Sequence, residues 1–154
     1  MLSGGAYEDD GDAVIEMDLL LPRWADVSDE IADLLADIAT KGHRLDKLHQ
    51  NHVLPGFNDD DAKKAEETQI EKLTQGITKG FHQCHRCIQR VEQMVRESKQ
   101  SGTISNAEET MAKNIQISLA TRVQDASSNF RKKQSVYLKS ALITLNTLLA
   151  MPTC

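Results

Sequence analysis

Apolar side chains recur three and four positions apart along most of the chain, with polar residues filling the positions between. The first run reads Trp24, Val27, Ile31, Leu34 and Ile38, skips a step at Lys41-Gly42, and resumes at Leu45, Leu48 and His52. Such spacing keeps one face of an α-helix apolar, whereas a strand needs alternation. It predicts a helix over about 23–53. Pro22 suits a helix start, and Leu54-Pro55-Gly56 ends the run, because proline disfavours helix at the residue before it and glycine permits a turn.

A second stripe, Ile70, Leu73, Ile77, Phe81, Cys84, Ile88, Val91 and Val95, predicts a helix over about 60–98. Asp59, Asp60 and Asp61 bring acids to its N-terminus, where free amides and the helix dipole favour them. Gly76 and Gly80 each cost ~1 kcal/mol relative to alanine and mark either a close helix approach or a softer spot. After Lys99-Gln100-Ser101-Gly102-Thr103, the string Ser105-Asn106-Ala107-Glu108 matches a capping box. It opens a third helix over about 105–140, with the stripe Ile115, Leu119, Val123, Ala126, Phe130 and Tyr137. Helices of about 30 residues, roughly 45 Å long, joined by short connections pack as antiparallel neighbours. The expected fold is all-α, a long up-down-up antiparallel three-helix bundle over 22–139.

Two segments fall outside the stripes. Residues 1–21 are expected to form an acidic, disordered leader, and residues 140–154 an apolar tail. In the tail Leu142, Ile143, Leu145, Leu148 and Leu149 spread too widely for one narrow face. A third helix running on through them would leave an exposed apolar patch prone to association.

Composition narrows the functional classes. Only 4% of residues are aromatic and only Pro22, Pro55 and Pro152 are prolines, which disfavours a sandwich or barrel. The net charge is −5, but Glu8, Asp9, Asp10, Asp12, Glu16 and Asp18 lie in the first 22 residues without a Lys or Arg. The rest is nearly neutral and lacks the basic footprint of a nucleic-acid binder. The leader also lacks the positive start of a signal peptide. Three cysteines, an odd number, suggest reduced thiols rather than a disulfide framework. Residues 141–151 would span roughly 16 Å as a helix against a hydrocarbon core of ~30 Å, so no transmembrane segment is expected.

Three clusters carry candidate chemistry. Cys84 and Cys87, between His82 and His85, form a C-x-x-C pair, yet a structural zinc needs four ligands and Cys84 sits on the apolar stripe. A packing role is expected, with no metal or cofactor. His43, His49 and His52 flank Asp46 and Lys47; phosphotransfer through His43 is disfavoured by the nearby acid, and His52, on the stripe, is expected in the core. Lys113, Arg122, Arg131, Lys132, Lys133 and Lys139 face Asp125 alone, either a solvated basic face or a surface for an acidic partner or anionic lipid. With no nucleophile beside a base and no phosphate loop, no catalytic residue is expected and the protein reads as a non-enzyme.

Several strings narrow the family. Leu21-Pro22-Arg23-Trp24-Ala25-Asp26, then Asp29-Glu30-Ile31, resembles the opening of the first regulatory helix of syntaxin-16 / late-Golgi t-SNAREs. Leu48-His49-Gln50-Asn51-His52-Val53-Leu54-Pro55-Gly56-Phe57 is similar to that family's first joint. Ile70-Glu71-Lys72-Leu73-Thr74, Ile77-Thr78, Phe81-His82 and Cys84 resemble its second helix; Ser128-Asn129-Phe130-Arg131, Gln134-Ser135 and Tyr137-Leu138-Lys139 resemble the end of its third. The resemblance runs from about Met17 to Lys139. It implies the N-terminal regulatory (Habc) domain of a Qa-SNARE in vesicle fusion at the trans-Golgi network and endosomes. That domain controls access to the SNARE helix and works with a Sec1/Munc18-type protein. The groove contacts stay open, since Cys87 and Met94 fit either core or groove. The chain departs from the family after Lys139, where a SNARE motif and membrane span are expected, and before Met1, where a partner-binding peptide is expected. A fragment, a splice form or a truncated gene would explain both. A free-standing helical adaptor, or less favourably a histidine phosphotransfer bundle, is the alternative.

Overall fold

In the computed structural model, the backbone of residues 11–53 and 60–150 and the side chains of 24–52 and 60–150 are described. Three helices account for nearly all of it: α1 (Gly11–Val53), α2 (Asp60–Gln100) and α3 (Asn106–Ala150). No strand occurs among the described residues, and none of the helices is long and apolar enough to cross a membrane.

Pairs across the α1–α2 interface run in opposite order along the chain. Glu30 meets Arg90 at 2.8 Å and His52 meets Glu66 at 3.4 Å, so the two helices are antiparallel. Lys99 to Glu109 at 3.0 Å and the Phe81–Phe130 ring pair fix α3 antiparallel to α2. Asp46 to Lys133 then sets α3 parallel to α1. The result is an up-down-up bundle.

The core draws on every helix. Trp24, Val27, Ile31, Ile38 and Leu45 of α1 face Ile77, Phe81, Cys84, Cys87, Val91 and Val95 of α2. α3 adds only Ala112, Leu119 and Val123 as fully buried residues. Burying aliphatic side chains stabilises by about 1.5–3 kcal/mol each, so α1 and α2 form the firm half of the bundle and α3 the loosely held third. In α1 the buried register passes through Leu45 and His49, whereas Leu48 and His52 are only half-buried. The spacing had put the latter two on the stripe. A step of four from Leu45 keeps the core face as well as a step of three, and a histidine ring is apolar enough to take it.

The joint between α2 and α3 is built from its own sequence. Gly102 adopts φ 67°, and the amides of Gly102 and Thr103 donate to the carbonyls of Lys99 and Ser98 at 3.2 and 3.0 Å. Those two bonds are a Schellman closure, which places a left-handed glycine just past the helix end. The Ser105 amide donates to Glu108 Oε2 at 2.6 Å and the Glu108 amide to Ser105 Oγ at 3.2 Å, the reciprocal pair of a capping box.

α1 starts at Gly11, well before residue 23, so its backbone passes through Pro22 and residues 11–21 are helical rather than disordered. Ala13, Glu16, Met17 and Leu19–Leu21 are strong helix formers, which accounts for the extension. Residues 1–10 of the leader and 151–154 of the tail lie outside the described residues. α3 continues to Ala150, past residue 140, and Leu142, Ile143, Leu145, Leu148 and Leu149 are all exposed.

Gly80 and Gly76 differ in kind. A Cβ on Gly80 would sit 2.8 Å from Ile38 Cγ1, inside the buried α1–α2 seam, whereas one on Gly76 would meet only the flexible end of Lys41 at 3.4 Å. Overpacking costs about 1–3 kcal/mol and alanine regains ~1 kcal/mol of helix propensity. Gly80→Ala is therefore expected to destabilise by up to about 2 kcal/mol in urea unfolding, and Gly76→Ala to stabilise by about 0.5–1 kcal/mol. Equal effects at the two sites would contradict the close approach at Gly80.

Candidate functional site

The seam between α1 and α3 holds the two larger clefts, and a smaller one of ≈ 430 Å³ lies between α1 and α2 beside Lys47, Leu48, Gln69 and Leu73. Near the C-terminal end of α1 the α1–α3 seam widens into a cleft of ≈ 610 Å³ between Asp46, His49 and Gln50 on one side and Lys133, Val136 and Tyr137 on the other. A second cleft of ≈ 570 Å³ lies higher on the same seam, between Ser28 and the Met111–Arg122 stretch. Both exist because α3 spends few large apolar residues on the core. Its Ile117, Val136 and Leu138 stay 64–65% exposed.

At the floor of the lower cleft the His49 and Tyr137 rings stack face to face, with centroids 3.5 Å apart and planes within 5°. Asp46, one turn before His49, holds Lys133 at 2.8 Å and ties the rim together. His49 is 9% exposed. Burial holds its pKa below 6.5, Asp46 pulling it up and His52 pushing it further down. Burial likewise raises the Tyr137 hydroxyl, helped by Glu67. Both rings are thus neutral and pack as an apolar pair with polar edges.

The lowered pKa has a definite sign. The unfolded chain takes up the His49 proton at higher pH than the folded one, so this stabilisation is complete above about pH 6.5 and lost as the pH falls through the lowered folded value. Thermal unfolding is expected to show a fall in Tm from pH 7 towards pH 5. In His49→Phe, which keeps a stacking ring without the proton, that fall should be smaller. An unchanged slope would contradict the assignment.

The other sequence candidates are dispersed. His52 Nδ1 lies 3.4 Å from Glu66 Oε2 and its Nε2 3.8 Å from Glu67 Oε1, so it joins α1 to the start of α2 from a half-buried position rather than from the core. His43 and Lys47 are exposed, one turn apart from each other and off the buried face that carries His49. Cys84 and Cys87 are both in the core, while His82 and His85 point to the exposed side of α2. Burial raises the pKa of both thiols, with Cys87 adding to the effect on Cys84 and Glu30 to that on Cys87. Protonated, buried thiols are poor nucleophiles and poor ligands. Among the described residues no group of three or more His, Cys, Asp or Glu side chains is placed to hold a metal ion.

The basic stretch of α3 is partly spent on ion pairs. Lys113 reaches Glu109 at 3.1 Å and Lys133 reaches Asp46, leaving Arg122, Arg131, Lys132 and Lys139 exposed. The bonds from Lys99 and Lys113 lower the Glu109 pKa. Sequence reasoning missed the His49–Tyr137 stack, although both residues were named. Only the parallel placement of α1 and α3 brings them together.

Known proteins give this geometry its context. No family model matches the chain. It is 42% identical over 126 residues to the t-SNARE affecting a late Golgi compartment protein 2 of Schizosaccharomyces pombe, covering 82% of this chain and 39% of that one. To human syntaxin-16 it is 37% identical over 119 residues, covering 77% and 34%. The chain spans a third to two fifths of the length of the curated relatives it matches. Among solved structures, the Qa-SNARE Tlg2 (1–310) in complex with the SM protein Vps45 superposes with a TM-score of 0.67 at 51% identity, covering 94% of this chain and 76% of that one. With its helices in the same up-down-up order as a syntaxin Habc bundle, the chain belongs to the Tlg2/syntaxin-16 family of Qa-SNAREs.

Proposed function

We propose that the chain serves as the regulatory N-terminal domain of a Qa-SNARE, acting in vesicle docking and fusion at the cytoplasmic face of the trans-Golgi network and endosomes. It contributes no catalysis. It controls the availability of a SNARE helix and works together with a Sec1/Munc18-type protein. The observation that carries this reading is the likeness to a Tlg2 chain solved with an SM protein, which extends over nearly the whole of this chain.

The bundle supplies a physical basis for such control. A regulatory domain must hold an amphipathic helix without dissolving its own core, and the two halves of this fold divide that work. α1 and α2 bury most of the core, while the α1–α3 seam keeps two clefts and exposed apolar residues. An amphipathic helix lays its apolar face into such a groove through anchors three and four residues apart. Captured there, the helix is withheld from its partners until the domain releases it.

The test supplies the purified chain in trans to a Tlg2-type SNARE helix and follows assembly with its three partner helices by fluorescence transfer. Assembly is expected to slow several-fold as the chain is raised to about 100 µM, a concentration suited to weak, regulated contacts. An assembly rate independent of the chain would overturn the proposal.

A further inference from the structure

The most exposed apolar feature is the last part of α3, and it has an order of its own. Leu138, Leu142, Leu145 and Leu149 follow one another at steps of four, three and four, the spacing of a and d positions in a heptad. They are 65%, 58%, 53% and 76% exposed, with Leu148 beside them at 55%. The same stripe continued towards the N-terminus passes through Ser135 and Arg131, so the apolar seam begins at Leu138. There α3 carries a shallow depression of ≈ 350 Å³ bounded by Arg131, Ser135, Leu138, Lys139 and Leu142, a hole of the kind that receives a knob from a facing helix.

We infer that this seam pairs with the same seam of a second copy of the chain, the two α3 ends crossing in antiparallel order. Three observations select that occupant. First, a leucine stripe at heptad spacing is complementary to itself, and from Ser140 to Ala150 no charged residue stands on α3 to favour a different, charged partner. Second, the unpaired charge of α3 nearby lies at one end: Arg131, Lys132 and Lys139, with Lys133 held by Asp46 and no acid on α3 after Asp125. A parallel pair would set these bases beside their counterparts; antiparallel order sends the two groups to opposite ends. Third, α3 has no basic residue in its last turn, so the partial negative charge of its C-terminal carbonyls is uncompensated by its own side chains. Antiparallel order brings the basic end of one copy towards that terminus of the other. Leu138 then faces Leu149 of the second copy, and Leu142 faces Leu145.

The area sets the strength. At ~25 cal/mol per Å² a buried leucine corresponds to roughly 60–120 Å² removed from water. Ten leucines already partly covered would thus bury on the order of 400–700 Å², below the ~1,200 Å² of a standard stable interface. The association is accordingly weak and concentration-dependent, and most of it rests on the five leucines.

Sedimentation velocity of the reduced chain from about 1 to 300 µM tests this, across the range where a small interface associates. The expected result is a monomer at the low end and a growing dimer at the high end. The double variant Leu142→Gln, Leu145→Gln should stay monomeric throughout, with unchanged helical circular dichroism and Tm, since both residues are exposed. Orientation is read in a Cys154→Ser background by mixing Leu138→Cys protein with Leu149→Cys protein under mild oxidation. The mixed disulfide should dominate over either homodisulfide. A monomer at every concentration, association unaffected by the double variant, or dominant homodisulfides would overturn the inference.

Discussion

Phe81→Ala is expected to lower the stability of the bundle by about 3–5 kcal/mol, through the lost transfer energy of the ring and the cavity it leaves. Phe81 is 9% exposed and sits halfway along α2, where its ring lies 6.1 Å from that of Phe130 at a tilt of 43°. It therefore joins the firm α1–α2 half to the loosely held α3. Neighbours cannot refill the space without moving a helix, because Ile77 and Cys84, one turn to either side, are fully buried and already packed. Against a typical total of ~5–15 kcal/mol, such a loss is a large share of the whole. Urea unfolding of the two proteins, compared at equal m-value, reads it directly. A cost below about 1 kcal/mol would mean that α3 does not close over Phe81 as described.

The paired substitution Cys84→Ser, Cys87→Ser carries the second large effect, about 2–5 kcal/mol, since each hydroxyl placed in an apolar site costs about 1–3 kcal/mol when it lacks a good partner. Cys84 should account for more of it. Cys87 Sγ already lies 3.3 Å from Arg90 Nη2, and that donor can serve a serine in its place. Cys84 is 0% exposed and lacks the arginine contact that Cys87 has. The loss should be the same with and without a chelator, because the thiols stabilise by packing. A loss seen only in the absence of chelator would point instead to a bound metal.

Much of the architecture was legible because it rests on local rules. Pro55-Gly56 in the sequence falls between the end of α1 at Val53 and the start of α2 at Asp60, and Ser105 with Glu108 announces α3 by a bonding pattern that needs no tertiary information. The α2 stripe was readable for the same reason, since Ile77, Phe81, Cys84, Val91 and Val95 are large and regularly spaced. What failed to show did so for identifiable causes. Ala112 is fully buried yet too small to stand out in a pattern of apolar residues. His49 took the core position that spacing had assigned to Leu48 and His52, because choosing between a step of three and a step of four from Leu45 depends on where Tyr137 lies. The N-terminal extension of α1 was hidden by Pro22, which marks helix starts more often than helix interiors. The clefts along the α1–α3 seam arise from packing between helices distant in sequence, and no single stripe contains them.

The claim that matters most is that this bundle works with an SM protein, and a calorimetric titration of the chain into a Vps45-type SM protein tests it most directly. Saturable one-to-one binding is expected, with a dissociation constant in the micromolar range or tighter, retained in Leu142→Gln, Leu145→Gln, whose substitutions touch only the α3 end. The absence of any binding heat at about 100 µM of each protein, with the chain folded by circular dichroism, would contradict it.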